Sequence, residues 1–227
     1  MTRPDAALLF AAGFGTRMRP LTDTRPKPLI EVAGQPLLDH ALALVEPLGL
    51  SRVVVNTHYK GEMIAKHLSG RDIALSHEAP EVLETGGGLK QALPLLGEGP
   101  VFTLNTDAVW RGPNPLQMLA DAWDPTRMDA LLLCIPPQQA HGHSGAGDFL
   151  LGPEGRITRG PGLIYSGVQI IKPGGLHDIR DTVFSLWSLW QPMLEAGRMF
   201  GLPFSGQWCD VGHPDGIRIA ERMLSDV

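Results

Sequence analysis

Ala6–Ala12 is a short, continuous apolar run that stops at Gly13, the pattern of a buried strand rather than of an amphipathic helix. From Gln35 to Leu48 apolar and polar residues alternate at helical spacing, with Pro36 suited to a first turn. Arg52–Asn56 then predicts a strand, Gly61–Leu68 a short helix and Ile73–His77 a third strand. Behind the glycines at 86–88, Leu89–Leu96 predicts a helix, followed by a strand at Val101–Asn105, a helix at Pro115–Trp123 and a strand at Ala130–Ile135. Such alternation predicts an α/β fold whose mostly parallel sheet carries helices on both faces. The pattern then changes. Phe149–Leu151 and Leu163–Ile171 read as strands with no helix between them, so the sheet is expected to be mixed, with an antiparallel part. Val183–Ala196 and Pro214–Leu224 predict the last helices, and the tryptophans Trp187 and Trp190, spaced with Leu186, Leu189 and Leu194, read as core packing. Gln138–Gly147, rich in His and Gly, reads as a mobile loop. With no repeat, linker or composition break, residues 1–227 are expected to form a single domain.

Composition narrows the class. Gly 27 and Pro 20 are scattered rather than tracted, which predicts many tight turns and backbone-lined loops. The net charge of -5 argues against a nucleic-acid surface. No apolar run approaches the ~20 residues of a spanning helix, so no membrane partner is expected. Near Met1, Asp5 interrupts the basic region, and Arg17, Arg19 and Arg25 follow the apolar run closely, so no secretory leader is expected. Two cysteines, Cys134 and Cys209, suit a reduced, cytoplasmic setting.

The densest chemistry lies in Leu9-Phe-Ala-Ala-Gly-Phe-Gly-Thr-Arg-Met-Arg-Pro20. A strand runs into Gly13 and Gly15, where bare backbone can approach a ligand and successive amides can form an anion-binding concavity. Arg17 and Arg19 add positive charge. Lys27, between Pro26 and Pro28 in a stretch expected to be stiff and extended, is a suitable point charge for phosphate. Neither the dinucleotide fingerprint nor the Walker loop fits: Met18 stands where a third glycine is needed, and Gly-Lys-Ser/Thr is absent. Asn105-Thr-Asp107 ends a predicted strand, at the carboxyl edge where such folds bind ligands. Taken alone, Asp107 reads equally as a strand-end cap and Asp210 as a turn former.

Together the Gly-Phe-Gly-Thr-Arg loop, Pro26-Lys-Pro-Leu29, Glu84-Thr-Gly-Gly-Gly88, Gly147-Asp-Phe149, Ser166-Gly167 and Trp208-Cys-Asp-Val-Gly212 resemble the sugar-1-phosphate nucleotidyltransferases, and within them the muramate-type uridylyltransferases. The resemblance spans most of the chain. It implies a Rossmann-like fold of the nucleotide-diphospho-sugar transferase type. It also implies Mg²⁺-dependent transfer of a nucleotidyl group, UMP from UTP, to a sugar 1-phosphate of cell-wall recycling, with release of pyrophosphate. The partners it implies are thus a nucleoside triphosphate and a sugar 1-phosphate. By resemblance, Ala11, Ala12, Gly13, Gly15 and Thr16 cradle the phosphates, while Arg17 and Lys27 are the catalytic cations on the departing and the transferred phosphate. Glu84, Thr85, Gly86 and Gly87 face the nucleobase, with the glycine backbone reading its edge; a helix entry capped by Thr85 is the competing reading. Asp107 and Asp210 hold Mg²⁺, the Thr106 in place of the usual Gly leaving the aspartate intact.

Asn105, Asp148, Ser166 and Gly167 are the implied sugar contacts. Two departures matter: Glu81-Val-Leu83 replaces Glu-Pro-Leu, and Arg156-Ile-Thr-Arg-Gly-Pro161 lacks the Glu-Lys-Pro turn of hexose members. Arg156 or Arg159 could pair with a carboxylate on the sugar, against a solvated turn. His141 and His143 read as a polar loop, and Cys209 lacks a positioned base for a nucleophile's role. Other donor–acceptor pairs stay open: GTP with mannose or heptose 1-phosphate, CTP with phosphocholine, or a non-catalytic nucleotide-sugar-binding regulator. From the length, the C-terminal β-helix that many members append is not expected.

Overall fold

A computed structural model describes residues 3–225; Met1 and Thr2, where a leader would begin, and Asp226 and Val227 lie outside the described residues. In chain order the strands and helices are β1 (Ala6–Phe10), a two-residue hairpin β2 (Glu31–Val32) and β3 (Gln35–Pro36), α1 (Leu37–Val45), β4 (Arg52–Thr57), α2 (Gly61–His67), β5 (Ala74–His77) and α3 (Glu84–Leu96). They continue as β6 (Val101–Asn105), β7 (Ala108–Arg111), α4 (Pro115–Ala122), β8 (Ala130–Ile135), β9 (Ala140–His141), β10 (Phe149–Leu151), β11 (Ile157–Arg159) and β12 (Ile164–Ile171). Last come α5 (Trp187–Glu195), β13 (Met199–Pro203), β14 (Gln207–Asp210) and α6 (Pro214–Ser225).

Seven strands form the central sheet in the order β13-β8-β12-β6-β1-β4-β5. Only β12 runs antiparallel to its neighbours β6 and β8, so the sheet is mixed where Leu163–Ile171 predicted it. Residues of β1 alternate between two cores: Ala7 and Leu9 point to one, Ala6 and Leu8 to the other. Both sides of this strand are dry, which is why its sequence is a continuous apolar run. The first core is covered by α1, α2 and α4 through Leu38, Ile64 and Leu116; the second by α3 and α5 through Leu89 and Leu189. A third cluster, with Met18, Val109, Val211 and Met223, fills the space beneath α6. Beside the main sheet, β7-β14-β9 form a small sheet of three strands.

Several boundaries move. Pro36 ends β3 with extended backbone instead of opening the helix, which starts at Leu37. The next-to-last helix, α5, begins at Trp187 rather than Val183. Gly86–Gly88 lie inside α3, not in a loop ahead of it. Gln138–Gly147 is not free either: β9 pairs with β14, setting Ala140 beside Trp208 and His141 beside Cys209. Among the described residues no helix is long and apolar enough to cross a membrane.

Candidate active site

The carboxyl ends of β1 and β6 open into a cavity of about 320 Å³, walled by Ala11, Ala12, Gly13, Gly15, Thr16 and Arg17 on one side. Lys27, Asn105, Asp107, Glu84, Thr85 and Gly212 complete the wall. Gly13 has open space where a Cβ would stand, whereas Gly15 sits at φ 62, where a Cβ would come within 2.9 Å of both Lys27 Cβ and Thr22 Cγ2. Glycine is therefore required at 15 both for the left-handed backbone and for the close approach of the lysine. The hydroxyl of Thr22 donates to the Gly15 carbonyl at 3.0 Å and fixes the bend. Lys27 is held differently from expectation: Pro26 is extended, but the lysine opens a 3-10 turn, Lys27–Leu29. Its Nζ lies 2.8 Å from Asp107 Oδ2, with both groups mostly buried.

The two aspartates, distant in sequence, meet through the small sheet. Asp210 pairs with Ala108 across β14 and β7, and the Val211 amide donates to the Asp107 carbonyl at 2.8 Å. Burial raises the Asp210 pKa above its ordinary value and the nearby Asp107 raises it further, against the pull of Lys27, Arg17 and His143. A Cβ on Gly212 would stand 3.1 Å from the Asp210 carboxylate and 3.2 Å from Arg17 Nη1, so this glycine keeps open the space between them. Among the described residues no group of three or more His, Cys, Asp or Glu could hold a metal. Asp107 and Asp210 offer two hard carboxylates that repel one another, a pair that would fit Mg²⁺, a cation that completes its shell with water and phosphate oxygens.

A pair absent from the sequence reading braces this wall. Asn56, at the end of β4, accepts from the Ala11 amide through Oδ1 at 2.6 Å and donates through Nδ2 to Glu78 Oε1 at 2.7 Å. Glu78, fully buried, accepts the Leu83 amide at its other oxygen, at 2.8 Å. Both line the cavity. A polar residue closing the apolar run Val53–Val55 at the sheet's carboxyl edge was the available signal, the same one that marks Asp107.

In the segment expected to face the base, Glu84 and Thr85 reach the cavity, Glu84 with a left-handed φ of 60. Gly86 and Gly87 do not. Their amides both donate to the Phe184 carbonyl, at 2.9 and 3.0 Å, and so are not free to read a base. A Cβ on Gly86 would come within 2.5 Å of the Phe184 ring, and one on Gly87 within 2.1 Å of the Thr182 carbonyl oxygen. Close packing of α3 on residues 182–185 explains these glycines. Thr85 does not cap its own helix; its hydroxyl accepts the Leu186 amide at 3.0 Å.

The four expected sugar contacts divide. Asn105 lines the first cavity, and Gly167, at φ 82, seats it: a Cβ there would lie 2.7–2.9 Å from the Asn105 side chain. Ser166 is buried, donating to the Leu133 carbonyl at 2.8 Å and accepting the Val168 amide at 3.2 Å, and faces neither cavity. Asp148 lines a second cavity of about 590 Å³, with Arg159, Tyr165, Trp187 and Trp190. Its Oδ2 accepts the Tyr165 amide at 2.8 Å. The tryptophans are therefore not simply core: both are half-buried and turn a ring to this cavity, while Trp190 Nε1 donates to Gln169 at 3.0 Å. Cys209 has its thiol pushed up to about 12, chiefly by burial, and is no nucleophile at neutral pH.

The sequence profile of the MobA-like NTP transferase domain matches residues 7–194. The chain is 40% identical to the N-acetylmuramate alpha-1-phosphate uridylyltransferase of Caulobacter vibrioides, over 98% of each chain. It is 36% identical to the protein of the same name from Neisseria meningitidis serogroup B, over 96% of this chain and 97% of that one. Its fold matches the crystal structure of HddC from Yersinia pseudotuberculosis complexed with GMP-PN, with a TM-score of 0.78 at 19% identity, covering 97% and 99% of the two chains.

Proposed function

The chain belongs to the MobA-like NTP transferase family, and from that premise we propose that it transfers UMP from UTP to N-acetylmuramate 1-phosphate. Pyrophosphate is released, and the setting is cytoplasmic recycling of cell-wall sugar. The observation that carries the chemistry is the gathering of Arg17, Lys27 and Asp107 in the wall of one cavity at the strand ends, with Asp210 behind that wall and close enough to all three to feel their charges. The choice of UTP and of the muramate acceptor is supported by chain-long similarity to two enzymes of that name.

In this reading an oxygen of the acceptor phosphate attacks the α-phosphorus in line, and the bond to the β-phosphate oxygen breaks. The phosphate oxygen is already anionic, so no protein nucleophile or general base is needed; the task is positioning and charge neutralisation. Amides around Gly13 and Gly15 hold the triphosphate, Lys27 faces the α-phosphate where charge builds, and Arg17 takes the departing β,γ-phosphates. Asp107 and Asp210 would hold Mg²⁺, which when bound would supply further neutralisation of the triphosphate. Asn56 and Glu78 keep the loop at Ala11 and the segment at Leu83 in register around the nucleotide.

The deciding experiment is pyrophosphate release with each of the four nucleoside triphosphates against a panel of sugar 1-phosphates and phosphocholine. UTP with N-acetylmuramate 1-phosphate is expected to give the highest kcat/KM. A higher value for GTP with mannose or heptose 1-phosphate, or for CTP with phosphocholine, overturns the substrate assignment, and no turnover with any pair overturns the reaction.

A further inference from the structure

We propose that Arg159 is a specificity-determining residue of the second cavity, reading a carboxylate on the acceptor sugar. The inference rests on the reading above that the acceptor is a sugar 1-phosphate.

The cavity adjoins the reaction centre by register. β12 runs antiparallel to β6 with Val168 opposite Leu104, and Gly167 packs against Asn105, which lines the nucleotide cavity. Tyr165, two residues earlier on β12, lines the second cavity. The two cavities are therefore neighbours along one edge of the sheet.

The second cavity's walls suit a carbohydrate. Trp187, Trp190 and Tyr165 offer aromatic faces for the apolar face of a sugar ring, and Asp148 offers a carboxylate for hydroxyls. Tyr165 stands edge-on to Trp190, with ring centroids 5.0 Å apart, so these faces are mutually fixed.

The cation is the unusual element. Arg127 and Arg156 both spend their guanidinium groups on Glu154, at 3.0 and 3.1 Å, and Arg156 also donates to the Gly197 carbonyl. Arg159 pairs with no carboxylate among the described residues. Instead its guanidinium lies 4.6 Å from the centroid of the Trp187 ring. Stacking leaves the in-plane N–H fork free, the geometry that meets a carboxylate in two parallel hydrogen bonds. A cation held on an indole, unpaired and beside a carbohydrate-like cavity, is a receptor for an anionic substituent.

The test uses two acceptor pairs that differ in a carboxylate: N-acetylmuramate 1-phosphate against N-acetylglucosamine 1-phosphate, and glucuronate 1-phosphate against glucose 1-phosphate, with UTP and Mg²⁺. Each pair shares its phosphate and its ring, so the ratio within a pair reads the acidic substituent, the lactyl ether at O3 in the first and the C6 carboxylate in the second. The wild type is expected to favour the acidic member. Arg159→Met should raise KM for the acidic member by about tenfold to a hundredfold, with kcat and the neutral member's KM little changed. Trp187→Ala should give a smaller loss of the same sign, and Arg156→Met none. Arg159 is exposed, so its variant is expected to fold, which a thermal melt checks.

An unchanged ratio in Arg159→Met, or no acid preference in either wild-type pair, overturns the proposal. In the second case turnover of the neutral sugars still upholds the transferase reading. If N-acetylmuramate 1-phosphate is inert while the glucuronate pair shows a preference that Arg159→Met erases, the acceptor assignment falls and the role of Arg159 stands.

Discussion

Lys27 and Asp107 neutralise one another across 2.8 Å in a mostly buried setting, and Asp210 stands close enough to Asp107 to be made harder to ionise by it. In the proposed reaction this is the balance that an incoming triphosphate and its cation would rearrange. Lys27→Ala and Asp107→Asn should each lower turnover by about a hundredfold or more, the usual loss when a preorganised charge at the reacting group is removed. Pyrophosphate release checks the rate, and circular dichroism checks that the fold persists. Lys27 was singled out by its place between two prolines after the glycine loop, Asp107 by closing a predicted strand, and Asp210 by the resemblance of Trp208–Gly212. Asn56 and Glu78 were not. Their bonds join Ala11, Asn56, Glu78 and Leu83, distant in sequence, and only the meeting of β1, β4 and the segment before α3 turns two ordinary polar residues into one brace.

Among the elements, two glycines that look alike in sequence have opposite uses. Gly13 faces open space, and Gly13→Ala should leave stability nearly unchanged while its methyl intrudes on the phosphates and raises the KM for nucleotide. Gly87 has a backbone oxygen 2.1 Å from where a Cβ would stand, and Gly87→Ala should destabilise by about 2 kcal/mol or more as α3 is pushed off residues 182–185. Urea titration and nucleotide kinetics on the pair separate the two effects. The long apolar strands and the helices behind them were readable from periodicity. The four-residue β7 and β14 and the two-residue β9 carry too few positions to display a period, and β13, an edge strand of the main sheet, contains a glycine and ends on a proline. Yet β14 is what brings Asp210 to Asp107, so the residue was singled out before the strand that carries it was.

For the molecule as a whole, the far edge of the sheet is tied by Asp129, which accepts from Arg198 Nε at 2.7 Å and from Lys172 Nζ at 2.9 Å. The Arg198 bonds chiefly, with the Lys172 bond and both charges, outweigh desolvation and hold the Asp129 carboxyl below its ordinary 3.8. With the folded value depressed, the unfolded chain binds more protons just below that value. The stabilisation is therefore complete above about pH 4 and is lost as pH falls through the folded pKa. Asp129→Asn should cost about 1–2 kcal/mol at neutral pH and flatten the acid limb of the stability curve, measured by urea unfolding between pH 3 and 7. Ligand binding should act on the opposite half. Because the nucleotide cavity is walled by the β1 loop, the Lys27 turn and the start of α3, UTP with Mg²⁺ at about a hundred times its Kd should raise Tm by roughly 5–10 °C in a thermal melt. Residues 182–190 connect the two cavities: Phe184 seats the glycines of α3, and one turn on, Trp187 and Trp190 face the second cavity. For anyone grafting a new acceptor preference onto this scaffold, Phe184–Leu186 is a poor place to cut, since it is bonded to Thr85, Gly86 and Gly87 at the start of α3, and Thr85 lines the first cavity. The β10–β11 hairpin, which ends on Arg159, and the Gly160–Pro161 turn after it supply no wall residue to the first cavity and are the exchangeable part.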